Sequence, residues 1–436
     1  RKATRMMGEV STLGALEDRL FSALASTSID GGKAQALPSA MAIRILHVDL
    51  DAFFVEVCRQ RYPELRDVEL LVVGGRREQR GVVQSASYAA RKAGVRSGMP
   101  IAEAVRRCPG ATFFQGDFRH YRDASRAVAA VLQDFSPTVV MASLDEAYLD
   151  YTGTEHQHPV SLLPEAERLR DSIRGATGLA CSVGIGSNRM IAKLASDYAK
   201  PRGLMEVRAG WEAGFLAGLP LAALPGVGPR TAERWRELGL TDVAQVQAMP
   251  EAALTRLLGK DAVLLRRRAF GQGGTTLTPD RLPRSVSRES TLSRDERDAR
   301  RLEGLLLLLT ARVAAQLREE QLMGRTVTLK LRHDDFVTVT RRHTLPEPTN
   351  LDQELASVAQ TLFRKAFTEV RGRDRGVRLI GVAVTGITPV ESLDLFEPPE
   401  RTRLRQLTAA VDAVREKFGF EAVTPGILVG FRKAKG

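Results

Sequence analysis

SLDEAYLD, residues 143–150, sets two acids side by side, Asp145 and Glu146, in a stretch that otherwise reads as a β-strand. TVVMAS before it is strand-like and AYLD after it is apolar and aromatic, so both carboxylates fall where an unpaired charge is costly to bury. Such a pair requires a neutralising partner elsewhere in the chain. Upstream, IRILHVDLDAFF (43–54) reads as a buried strand with Asp49 and Asp51 near its end. PTVVMASLDEAYLD (137–150) and LACSVGIG (179–186) are further strands, alternating with helical stretches such as HYRDASRAVAAVLQDF (120–135), and this alternation predicts an α/β domain. Adjacent strands of one sheet would gather Asp49, Asp145 and Glu146 around one point. Like charges that close raise one another's pKa unless a cation sits between them. An oxygen-only cluster selects a hard ion, Mg²⁺ or Mn²⁺, and two such ions roughly 3.5–4 Å apart would serve phosphoryl transfer. Asp51 reads first as structural, capping a helix or pairing with an arginine, and metal ligation is its other reading. An isolated DE pair is usually a solvated turn; Asp49 upstream is what argues for metal here.

The composition points to a polyanionic partner. Lys plus Arg number 64 against 52 for Asp plus Glu, a formal charge of +12, and nucleic acid is the favoured counterpart. The 436 residues suggest two to four domains at roughly 100–200 residues each. The longest apolar run, LLLLLT at 305–310, falls short of the roughly 18 residues of a membrane span, so no membrane partner is expected. Cys58, Cys108 and Cys181 have no CxxC spacing, which speaks against a disulfide framework or zinc site and fits a reducing cytoplasm. The six histidines have no metal spacing.

Residues 1–42 read as an appendage: GALEDRLFSALAS (14–26) places Leu16, Leu20, Phe21 and Leu24 at helical spacing, and its acids argue against a targeting peptide. About sixty residues, 53–116, interrupt the α/β domain. After Gly203 the chain turns helical, with LPGVGP (224–229) as a turn between two helices. GQGGTTLTPDRLPR (271–284) looks like a tether. Beyond it a helix, the strands TVTLKL and FVTVTRRHTL around Asp334-Asp335, a second helix and the strand VRLIGVAVTGI predict a small sheet covered on one face by helices. In TVTLKL, Val327, Leu329 and Leu331 face inward, leaving Thr328, Lys330 and Arg332 on a basic outer face. The fold class expected is therefore a multidomain chain of α/β and α+β units. Near the end, Leu404, Leu407, Val411, Val414 and Phe418 make one helical stripe.

HVDLDAFF (47–54), GVVQSASYAARKAGVRSGMP (81–100), SLDEAYLD, SVGIGSNRMIAKLASDYAKPRG (182–203) and LPGVGP together resemble, in order and spacing, the Y-family translesion DNA polymerases, most nearly their bacterial members, over about residues 43–390. The resemblance implies a right-hand polymerase: palm at 43–52 and 117–207, small fingers at 53–116, helical thumb with a helix-hairpin-helix at 208–274, linker at 275–284, little finger at 285–389, and a tail at 390–436. It implies template-directed, low-fidelity addition of deoxynucleotides to a primer 3′-OH with two Mg²⁺ ions, Mn²⁺ substituting. Asp49, Asp145 and Glu146 match the metal-binding acids, the Leu50 carbonyl a backbone ligand, and Glu146 the catalytic position. Phe53, Phe54, Ser85, Tyr88, Arg91 and Lys200 match nucleotide contacts, with Phe54 guarding against the ribose 2′-hydroxyl. Gly226, Val227 and Gly228 fall on the DNA-binding hairpin, and Lys330 and Arg332 on the little-finger face turned to DNA.

VESLDLF (390–396) resembles a sliding-clamp peptide with Leu393, Leu395 and Phe396 as its apolar contacts, although Glu391 or Ser392 stands where Gln is usual. Leu395 and Phe396 could instead pack on the tail helix. Cys58 also departs from the pattern, which commonly has an acid or amide there. The implied partners are primer-template DNA, deoxynucleoside triphosphates and a sliding clamp, for a monomeric cytoplasmic enzyme. A non-catalytic DNA-binding protein on the same scaffold and a two-metal nucleotide cyclase are the competing readings. The first would have lost one of the three acids; the second needs no thumb hairpin, basic sheet or clamp peptide.

Overall fold

A computed structural model describes residues 43–277, 282–370, 375–390 and 398–427. The expected appendage at 1–42, the clamp-like Leu393, Leu395 and Phe396, part of the tether and part of the RGRDRGVR cluster lie outside these residues.

The opening strand β1 (Ile45–Leu50) is buried at all six positions. After it comes an insertion with its own small sheet, in which β2 (Leu71–Val73) runs between β3 (Ser85–Ala86) and β4 (Thr112–Phe114). The chain then returns to the first sheet with β5 (Val139–Met141), β6 (Glu146–Asp150), β7 (Cys181–Gly186) and β8 (Leu204–Glu206). The order β5-β6-β1-β7-β8 puts β1 at the centre, antiparallel to both neighbours. Period-two alternation divides its side chains. Leu46, Val48 and Leu50 join the core shared with the helices Phe118–Gln133 and Leu163–Thr177. Ile45, with His47 and Asp49 on the same side, faces the helix Arg189–Ala199.

That helix lies unusually close to the sheet, and the sequence explains why. A Cβ on Gly184 of β7 would sit 2.1 Å from the Ala192 carbonyl oxygen and 2.2 Å from the Ser196 nitrogen. Only glycine permits that approach. The helix is entered through Asn188, whose side-chain oxygen accepts from the Met190 and Ile191 amides.

Five helices, Glu212–Ala217, Pro229–Glu237, Val243–Ala248, Glu251–Leu258 and Asp261–Ala269, pack around Trp235, Leu224, Val246 and Leu265. The LPGVGP turn is entered from a single 3₁₀ turn, Leu221–Ala223, where a full helix was expected. Gly226 has φ +85°, a backbone conformation that a residue with a side chain rarely adopts, and it lies beside the movable Arg268 guanidinium.

The last sheet runs β11-β10-β12-β9, all antiparallel: β9 (Ser285–Glu296), β10 (Leu322–His333), β11 (Thr338–Thr349) and β12 (Val377–Thr385), with a two-residue β13 (Thr388–Pro389) on β10. The helices Ala299–Glu319 and Asp352–Val370 cover one face. Val327, Leu329 and Leu331 are buried as expected. The strand β9 was not expected: of its twelve residues only Val286 is buried, so SVSRESTLSRDE carries almost no hydrophobic alternation.

On the terminal helix Pro399–Phe418, Leu407, Val414 and Phe418 of the apolar stripe are exposed, while Thr408 and Arg415 are buried. It docks by charge instead, with Arg318 bonded to both Asp412 and Asp352, Arg415 to Asp352, and Arg401 to Glu347 and Glu354.

Candidate active site

The acids meet as the sheet requires. Asp49 on β1 is the direct cross-strand partner of Glu146 at the start of β6, and the Leu50 amide donates to the Asp145 carbonyl at 2.9 Å. Asp145 itself lies one residue before the strand, in a bend, with its carboxylate accepting from the Ser143 hydroxyl at 2.5 Å. The expectation of a strand residue is thus corrected for Asp145, because the backbone must turn there to present it at the sheet's edge.

Two lysines, one on the helix Arg189–Ala199 and one just past its end, answer the charge. Lys193 Nζ donates to Glu146 Oε1 at 2.6 Å, and Lys200 Nζ to Asp49 Oδ2 at 2.6 Å and to Asp197 at 2.9 Å. Beneath Glu146 lies His47, fully buried, with Nδ1 2.6 Å from the Ser196 hydroxyl and Nε2 3.6 Å from Glu146 Oε2. The two acids consequently part in acidity. Burial pushes Asp49 up to about 6 despite Lys200, whereas His47 and Lys193 hold Glu146 down at about 2 against its own burial. Burial lowers the His47 pKa, so the ring is a neutral neighbour at physiological pH.

Among the described residues no three His, Cys, Asp or Glu side chains are gathered as a ready-made cage. The donors nevertheless fit a hard divalent cation: they are oxygens, two of them face each other across one rung of sheet, and each has attracted an ammonium group to a place where positive charge is wanted.

Of the nucleotide-contact candidates, Lys200 bonds Asp49 and Tyr88 bonds Asp51, two residues further on. Phe54, on the helix Phe53–Arg61, packs edge-on against Tyr121 with ring centroids 4.6 Å apart. Phe53 is only 1% exposed, its ring edge-on to Phe54 and tilted against Tyr121, so its side chain lies in the core beside the Phe54 pocket. Ser85 is buried in β3. Tyr88 opens the helix Tyr88–Lys92 with Arg91 one turn on, the guanidinium 5.3 Å from the ring centroid and its Nε donating to the Ala86 carbonyl. Asp51 neither caps a helix nor pairs with an arginine side chain: it accepts from the Tyr88 hydroxyl, the Ser182 hydroxyl and the Arg202 backbone amide. Far from the acids, Lys330 bonds both oxygens of Glu289 and Arg332 donates to Thr338 on the outer face of the last sheet.

His47, Lys193, Ser196 and Tyr121 were missed from sequence. His47 had a signal, since it lies two before Asp49 and therefore on its face of the strand. Lys193, Asp197 and Lys200 are spaced four and three apart, the period of one helix face.

Residues 48–197 match the impB/mucB/samB family, and residues 283–395 match the C-terminal domain of that family. A DNA polymerase IV of Dehalococcoides mccartyi is 38% identical over 384 residues, 88% of this chain and 97% of the relative. A solved Y-family DNA polymerase chimera of Dbh and Dpo4 covers 79% of this chain and 99% of its own at TM-score 0.69 and 25% identity. The chain belongs to the Y family of DNA polymerases. An insertion ternary complex of Dbh DNA polymerase is also similar, at TM-score 0.54 and 25% identity over 79% of this chain and 99% of that one. This Y-family enzyme is thus a translesion DNA polymerase, and neither the non-catalytic nor the cyclase reading has support. Among its described residues no helix is long and apolar enough to cross a membrane.

Proposed function

We propose that this polymerase extends a primer 3′-OH on a DNA template by two-metal phosphoryl transfer, with Asp49, Asp145, Glu146 and the Leu50 carbonyl holding two Mg²⁺ ions for which Mn²⁺ can substitute. The observation that carries the proposal is the rung that sets Asp49 opposite Glu146, with Asp145 tied to the same strand end through Leu50. When bound, such ions lower the pKa of the attacking hydroxyl and offset the charge of the triphosphate. The chain's own residues do the rest. Lys200, already beside Asp49, offers a point charge to phosphate, and Arg91 a planar fork. Ser85 adds a hydroxyl, and Tyr88, whose own proton goes to Asp51, carries the Arg91 guanidinium over its ring. Phe54, backed by Tyr121, closes the space under the sugar and excludes a 2′-hydroxyl.

Gly226, Val227 and Gly228 present backbone amides to a DNA phosphate, while Lys330 and Arg332 belong to a basic face along the duplex. Leu393, Leu395 and Phe396 support a sliding clamp as a further partner. Three free, buried cysteines favour a reducing compartment such as the cytoplasm, and we read the working form as a monomer. Primer extension tests the core of this: Asp145→Ala and Glu146→Ala should each abolish synthesis and leave primer-template binding intact. Undiminished extension by either variant rejects the metal assignment.

A further inference from the structure

We infer that Asp51 is a positioning residue of the nucleotide site: its buried carboxylate registers the Tyr88 hydroxyl and the loop that carries Lys200 against each other, and it holds no metal ion. The inference rests on the reading of Tyr88, with Arg91 over its ring, and of Lys200 as the groups that face the triphosphate.

Asp51 is 4% exposed and follows directly on β1. Its Oδ1 accepts from the Tyr88 hydroxyl at 2.7 Å, its Oδ2 from the Arg202 backbone amide at 2.9 Å, and both oxygens lie 3.2 Å from the Ser182 hydroxyl. These donors come from three separate segments: the start of the helix Tyr88–Lys92, the strand β7, and the loop after the helix Arg189–Ala199. Lys200 stands two residues before Arg202 on that loop, with its ammonium on Asp49, two residues before Asp51. Two candidate phosphate contacts more than a hundred residues apart are therefore located against one three-residue stretch.

The contrast with Asp49 separates the roles of the two acids. Asp49 carries an ammonium that a divalent ion can displace. Asp51 is filled by neutral donors, and among the described residues no lysine or arginine side chain is paired with it. A metal ion there would compete with three donors already seated on the carboxylate, one of them the partly buried Arg202 amide. Packing cannot do the positioning unaided. Tyr88 borders a cavity of about 520 Å³ whose wall also includes Arg174 and Arg202, so the ring has space on that side and its hydroxyl is placed by the hydrogen bond. Arg91, stacked on the same ring, moves with it.

Single-turnover incorporation on a primer-template gives nucleotide Kd and maximal rate separately. Asp51→Asn keeps one acceptor oxygen, which the Arg202 amide requires, and turns its NH2 toward the Tyr88 hydroxyl, so a charge-assisted bond becomes a reversed, neutral one and nucleotide Kd should rise about tenfold. Maximal rate and the Mg²⁺ midpoint should stay where they are. Tyr88→Phe should raise Kd similarly, and the double variant should be no worse than either single one. Ser182→Ala, which keeps the carboxylate and removes one of its donors, should move Kd in the same direction by less; it carries the cycle with Tyr88→Phe if Asp51→Asn does not fold. Loss of maximal rate at saturating nucleotide, or a shifted Mg²⁺ midpoint, would make Asp51 a ligand and overturn the inference. A full Asp51→Asn effect in the Tyr88→Phe background overturns it too, while leaving Tyr88 as a contact. A silent Tyr88→Phe overturns both.

Discussion

Asp49 and Glu146 share a rung of sheet, yet their surroundings give them opposite effects on stability. Asp49 takes up a proton in the folded state at about pH 6, above its ordinary 3.8, because burial outweighs Lys200. Between those values the folded chain holds a proton that the unfolded chain has released, so stability falls as pH rises through this window and the penalty is complete at neutral pH. Glu146, at about 2 against an ordinary 4.5, does the reverse: its contribution is present above pH 4.5 and is lost as pH falls toward 2. Asp49→Asn should therefore raise the melting temperature of the metal-free protein at pH 7.5, by free energy on the order of 1–3 kcal/mol, since Lys200 keeps Asp197. Glu146→Gln, which leaves Lys193 without its carboxylate, should lower it. Melts in EDTA across pH 5 to 8 check both signs, and a destabilised Asp49→Asn would show that Lys200 dominates. At the neighbouring sugar pocket the readout is selectivity: Phe54→Ala should admit ribonucleotides in primer extension, whereas Phe53→Leu, altering a buried ring, should affect stability first.

One helix decides how much of this site could be read in advance. Arg189–Ala199 supplies Lys193, Ser196 and Asp197 and leads into Lys200, and Gly184 is what lets it lie against β1 and β7. Gly184→Ala meets backbone at 2.1 Å, so the helix must lift; the cost should be roughly 2–3 kcal/mol in denaturant unfolding, with nucleotide Kd rising as Lys200 moves. Unchanged stability would mean the helix has slack. The acids were legible because carboxylates in apolar strands stand out, and the inner face of β10 because alternation does. Lys193 was not, since a lysine on a helix normally reads as solvated surface. Strand β9 was hidden by the same logic, its outward residues being charged and its inward ones few. The terminal helix showed its apolar stripe but not its docking: Asp412 and Arg415 bind Arg318 and Asp352 across a partly buried ion network, and no pattern of hydrophobicity encodes such a contact.

At the scale of the whole molecule, one ion pair joins the insertion after β1 to the last sheet. Arg80 donates to both oxygens of Asp295 on β9, at 2.6 and 3.0 Å, and more weakly to the Leu292 carbonyl at 3.4 Å. The geometry is bidentate, which strengthens it, but both side chains are more than a quarter exposed, so the pair is worth roughly 1 kcal/mol and is open to screening. In a DNA polymerase of charge +12, a contact of that size biases the DNA-free arrangement and yields to any stronger electrostatic partner. With dyes on the insertion and on the last sheet, energy transfer in the DNA-free protein should fall when Arg80 is replaced by Ala. Raising salt toward 1 M, where the screening length shrinks to about 3 Å, should lower the wild-type signal to the variant's level and leave the variant almost unmoved. If salt and substitution instead act additively, other charges hold the two parts together and Arg80 is only one contact among several.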